Sequence, residues 1–231
     1  MRLLLILGLS ALIASLNPCT LSVVIMSITS LVGKSKHPRH ISLHTLMFGI
    51  GTLTATVVVG AMLALIFSTV PVSTLPLIGL VVSLLLAVLG LVEIKDYFWY
   101  GRGITLKYSV KTEQTIHAWT KKHHSLSRGF GLGIVTSLKL SHYTLVLLVG
   151  AMFLARISGA GVSWAVPILW GVLYSAPFIA CASFLASGVR LHGLLAWKEE
   201  SKHTMRLSIG LLYVIFSWLI LVVLAGGLKL G

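Results

Sequence analysis

Six stretches of this chain, roughly 3–32, 42–69, 72–93, 129–154, 162–187 and 206–227, are long and apolar enough to cross a hydrocarbon layer of about 30 Å. That pattern rules out a core wrapped in a water-facing shell. Of the 231 residues, 57% are hydrophobic and only 10% charged, and the mean hydropathy is +0.99. So few charges cannot clothe a soluble domain. The fold class that follows is all-α: a polytopic membrane protein with one transmembrane domain over residues 1–231 and six transmembrane helices in contact with membrane lipid.

The formal charge of +13 would suggest a nucleic-acid partner in a soluble protein. Here the cations fall between the apolar runs, where they encode topology, and no nucleic-acid partner is expected. The first loop holds Lys34, Lys36 and Arg39. The third holds Lys95, Arg102, Lys107, Lys111, Lys121, Lys122 and Arg128, and the fifth holds Arg190, Lys198, Lys202 and Arg206. Fourteen of the eighteen positive charges therefore lie on one side. This places residues 94–128 in the cytoplasm and both termini outside a cell membrane.

With six spans, the first three and the last three run in opposite senses. Residues 1–93 and 129–231 thus read as two inverted three-helix repeats, the geometry of transporters whose working sites lie near the midplane at interrupted helices. A short internal echo agrees: Ala14-Ser15-Leu16-Asn17-Pro18-Cys19 aligns with Thr136-Ser137-Leu138-Lys139-Leu140-Ser141.

The first span is longer than one straight crossing needs and contains Pro18. Proline removes a backbone donor, clashes with the carbonyl four residues back, and pushes Asn17 from helical dihedrals, so the helix should break near Asn17. Asn17 then reads as an N-cap and Pro18 as the first residue of a second half-helix. Cys19 falls in its first turn, where unpaired amides and the positive helix end favour a thiolate. The same residues also read as a Pro-kinked helix whose cysteine is a small apolar filler. Residues 1–19 resemble a cleavable signal, with Arg2 and an apolar core before Cys19, but the run continues well past the cysteine and the segment is expected to stay.

Lys139 and His142 lie near the centre of the fourth expected span and, three residues apart, on one helical face. Ionisable groups at that depth are costly and are functional by default, facing a cavity or the Cys19 break. The alternative is a snorkelling lysine and a histidine bonded to a neighbouring helix. Cys181 follows Pro177 and reads as packing among small residues. Gly129 and Gly133 permit close helix contact in the fourth span. Two cysteines make no disulfide framework, and no cluster has zinc spacing, so no cofactor or metal is expected.

The Asn17-Pro18-Cys19 break, the run Ile94-Lys95-Asp96-Tyr97-Phe98-Trp99-Tyr100-Gly101-Arg102-Gly103-Ile104, and the closing Arg206-Leu207-Ser208-Ile209-Gly210-Leu211-Leu212 resemble the CcdA-type cytochrome c biogenesis proteins. These are akin to the transmembrane domain of DsbD within the LysE-like transporter assemblage. The resemblance implies a reversible intramembrane disulfide between a cysteine in the first span and one in the fourth. Cytoplasmic thioredoxin reduces it, and electrons pass to an extracytoplasmic thioredoxin-like or cytochrome-maturation protein. Cys19 matches the first position. At the second, this chain has Leu140-Ser141-His142, and Ser141 or His142 replaces the family cysteine depending on register. Either Cys181 substitutes, or a single thiol works through mixed disulfides, or the scaffold has lost redox work and carries a small solute or metal ion. The expected function is transmembrane thiol-disulfide electron transfer, with a redox-silent transporter as the alternative.

Overall fold

A computed structural model describes residues 2–15, 38–99, 125–139, 141–157, 165–186 and 191–226. Among them are seven α-helices and no strand: α1 (Arg2–Ser15), α2 (Pro38–Thr69), α3 (Leu75–Phe98), α4 (Leu126–Lys139), α5 (Ser141–Ile157), α6 (Ala165–Ala186) and α7 (Leu191–Leu224). Among the described residues, four segments are long and apolar enough to cross a membrane: Arg39–Thr69, Val72–Phe98, Ala165–Phe184 and Thr204–Leu224. Shorter apolar helices cover Ile6–Ser15 and Thr144–Ile157.

The local chemistry explains several helix ends. Pro38 opens α2, where its missing N–H would have had no partner. Between α2 and α3, a 3-10 turn over Val72–Thr74 is closed by the Thr74 amide and hydroxyl, both donating to the Pro71 carbonyl at 3.1 and 2.8 Å. Pro76 then sits in the first turn of α3. Gly226, at φ +71°, terminates α7 by donating its amide to the Val223 carbonyl at 3.1 Å. This left-handed stop favours glycine because a Cβ would crowd the backbone.

Polarity runs inside out relative to a water-soluble bundle. Met62, Leu77, Leu84, Leu91 and Trp218 lie on the outside, whereas Ser10, Thr52, Thr56, Ser83, Glu93, Asp96, Arg206 and Ser217 are buried. Lipid tails satisfy the exposed apolar faces, and polar groups must find partners within the protein. The chain is a membrane protein on this observation.

Two antiparallel pairs organise the bundle. Along α2 and α6, the Ser42 hydroxyl donates to the Ala182 carbonyl at 2.8 Å. Phe48 and Phe178 meet edge to face at 5.7 Å, and Gly60 backs onto Pro167. Along α3 and α7, the Ser217 hydroxyl donates to the Ser83 carbonyl at 2.7 Å, and Gly90 faces Gly210. Helix α4 lies parallel to α2. A Cβ on Gly129 would come within 2.7 Å of the His44 carbonyl oxygen, and one on Gly133 would strike that of Phe48. The expected close contact through Gly129 and Gly133 is present, with Gly51 as its counterpart against the Phe130 carbonyl. Helix α5 packs on α3, where Phe153 fills the space above Gly79.

Three boundaries differ from the hydropathy reading. The fourth apolar stretch is divided into α4, ending at Lys139, and α5, starting at Ser141. Helix α3 continues through Asp96 to Phe98. Helix α7 spans 34 residues from Leu191, so Lys198, Lys202 and Arg206 are helical rather than loop residues. Hydropathy marks where apolarity stops, whereas backbone hydrogen bonding continues into the polar segment that follows.

Candidate functional site

The division between α4 and α5 is the first site of interest. Leu140, between them, lies outside the described residues. A cleft opens beside the two helix ends. It is lined by Ala55, Thr56 and Val59 of α2, Ser137 and Leu138 of α4, and Thr144, Leu145 and Leu148 of α5. It has room for about one water molecule. Its walls are mostly apolar. Thr56 turns its hydroxyl back onto its own helix, donating to the Thr52 carbonyl at 2.7 Å. The Ser137 hydroxyl is buried and has no hydrogen-bond partner.

The expected site residues distribute unevenly around this cleft. Asn17, Pro18 and Cys19 lie outside the described residues, and α1 ends before them at Ser15. Lys139 closes α4, and Ser141 and His142 open α5. Their side chains lie outside the described residues. The shared face expected for Lys139 and His142 therefore lies outside the described residues as well. Cys181 is described: it is half-buried on α6 and packs against the hydrophobic core. Ile179 and Ala182 of α6 lie beside Gly49 and Ser42 of α2, whereas the cleft begins at Ala55. Ala55 lies six positions beyond Gly49 on α2, so Cys181 stands at least about 9 Å along the axis from the cleft.

The sequence reading missed a second cluster, at the α3/α7 crossing. Asp96 is 0% exposed, Glu93 2% and Arg206 4%. Arg206 Nη1 donates to Asp96 Oδ2 at 2.9 Å and lies 3.9 Å from Glu93 Oε2. Lys95 Nζ forms an ion pair with Asp96 Oδ1 at 3.0 Å and remains partly exposed. Gly90 and Gly210 bring the helices together beside these groups. The signal was available: Glu93 and Asp96 are three apart and therefore on one face of a helix. An intrahelical acid pair next to an apolar run needs a cation from elsewhere.

Comparison with family models, with curated proteins and with solved structures finds no match for this chain. Among the described residues, no group of three or more His, Cys, Asp or Glu is arranged to hold a metal ion.

Proposed function

We propose that this membrane protein is a six-span, CcdA-like carrier of reducing equivalents, built from two inverted three-helix repeats and working through Cys19. The observation that carries the reading is the interrupted fourth segment. The helix α4 stops at Lys139 beside a cleft, at the position that the echo with Ala14–Cys19 aligns to Asn17. The antiparallel pairing of α2 with α6 and of α3 with α7 supports the repeat, because each pair joins corresponding helices of the two halves. Cytoplasmic thioredoxin would be the donor, and a thioredoxin-like or cytochrome-maturation protein outside would be the acceptor.

The missing family cysteine favours mixed disulfides formed by Cys19 alone. Cys181 is offset from the cleft and packed in the core. Thiol exchange requires a thiolate and access. The test is mass spectrometry of thiols trapped by acid quenching in cells: a Cys19 disulfide to thioredoxin or to an external thiol protein is expected. Full activity in a Cys19→Ser variant sinks the redox reading. A redox-silent transporter of a small solute is the second reading, favoured by the buried and unbonded Ser137 hydroxyl at the cleft.

A further inference from the structure

The cluster at the α3/α7 crossing holds two of the five acidic residues in the chain, Glu93 and the sole aspartate, Asp96. Both are buried within a segment that crosses the membrane. An ionised carboxylate in such a place must be matched by a cation and by hydrogen bonds. The cations present converge on Asp96: Arg206 hydrogen-bonds one of its oxygens at 2.9 Å and Lys95 pairs with the other at 3.0 Å. Glu93 receives no hydrogen bond from either cation, only a long ion-pair contact with Arg206. Its Oε2 is buried without a hydrogen-bond partner, and Arg206 Nη1, already donating to Asp96, stands 3.9 Å away.

The other charged groups do not compensate. The α5 helix, also packed along α3, brings only Arg156 among its described side chains. That residue follows Phe153, which sits over Gly79, about four helical turns from Glu93. Among the described residues, the charged groups facing Glu93 are therefore Asp96 on its own helix and Arg206 on α7.

We propose that Glu93 is a proton-binding site inside the membrane bundle, its carboxyl neutral in this arrangement while Asp96 holds Arg206. The ligand is one proton, taken up on Oε2 or its partner oxygen and released to water. Loss of the proton leaves two buried carboxylates competing for one guanidinium. Arg206, already 3.9 Å from Glu93 Oε2, is then shared between the two. The crossing thereby holds a titratable group whose charge is felt at the contact between two spanning helices. The inference does not depend on Cys19 or on the redox reading.

The test is infrared spectroscopy of the purified protein in lipid nanodiscs, using carboxyl-¹³C-glutamate and carboxyl-¹³C-aspartate labelling. At neutral pH a protonated carboxylic-acid band is expected. It should shift with glutamate label, stay fixed with aspartate label, and vanish in Glu93→Gln. Asp96 is the only aspartate, so the second label reports on one residue. A Glu113→Gln/Glu199→Gln/Glu200→Gln variant leaves Glu93 as the only glutamate, which assigns the band even if Glu93→Gln fails to insert. A band that follows the aspartate label, or no carboxylic-acid band at neutral pH in that triple variant, overturns the proposal.

Discussion

Gly90 and Gly210 face each other across the α3/α7 crossing so closely that a Cβ on either would lie within 2.9 Å of the other's carbonyl oxygen. Backbone atoms cannot swing aside as a side-chain tip can, so the helices themselves must part. Gly90→Ala and Gly210→Ala should each destabilise the bundle by about 1–3 kcal/mol, despite alanine's better helix propensity. Equilibrium unfolding in mixed detergent micelles measures this. Parent-like stability in both variants would mean that the crossing is looser than described.

The same crossing carries the Asp96–Arg206 pair, 2.9 Å apart and buried on both sides. Removing one partner strands the other charge, at a cost of about 3–5 kcal/mol. Arg206→Met should approach that loss, Asp96→Ala should cost less because Glu93 stands 3.9 Å from the guanidinium and can ionise to pair with it, and the double variant should cost much less than the sum. A double-mutant cycle in the unfolding experiment decides. Strict additivity would show that the two groups do not act on each other.

Glycines along α4 are not equivalent. Gly133 abuts the Phe48 carbonyl and lies 2.9 Å from the Thr52 amide, measured from an added Cβ, while nothing stands within 4 Å of one on Gly131. Gly133→Ala should destabilise. Gly131→Ala should be neutral or add up to about 1 kcal/mol through helix propensity. Thermal midpoints of the two purified variants test the contrast, and loss of stability at Gly131 would contradict the open space on its side.

How far the sequence carried the fold is visible in these glycines and charges. The apolar runs over 42–69 and 72–93 locate α2 and α3, though α3 runs on to Phe98, because burial in lipid demands uninterrupted apolarity. The spacing of Gly129 and Gly133 announced a close contact, but nothing local named α2 as its partner. Arg206 read as a loop cation because it borders an apolar run, and only the pairing with a carboxylate 110 residues away reveals it as interior. The Asn17–Cys19 break was inferred from proline chemistry alone and lies outside the described residues.

Topology has its own test. The positive-inside bias predicts cytoplasmic Lys36 and Trp119 and an external Gly231. Reporter fusions at those three positions read this directly. A cytoplasmic signal at both Trp119 and Gly231 would make the number of crossings between those two residues even rather than odd and remove the inverted repeat.

Two buried serines offer the sharpest contrast. Ser10 on α1 accepts a hydrogen bond from Trp170 Nε1 on α6 at 2.9 Å and donates to the Leu7 carbonyl at 2.9 Å. Trp170 is fully buried, so Ser10→Ala leaves its N–H without that acceptor. Interhelical hydrogen bonds within membranes are individually modest, and the expected loss is about 0.5–2 kcal/mol. Ser137 is the opposite case: its hydroxyl is buried at the cleft with no hydrogen-bond partner. Removing an unpaired buried hydroxyl eliminates a desolvation cost, and Ser137→Ala should be neutral or stabilising by up to about 1 kcal/mol. Both variants keep a small residue in the helix, so propensity and packing change alike in the two comparisons. The measurement is the unfolding free energy of each variant in the same lipid–detergent mixture. If Ser137→Ala costs as much as Ser10→Ala, the Ser137 hydroxyl has a partner within the cleft. A bound water is the smallest group that would fit, and the break between α4 and α5 would then be hydrated.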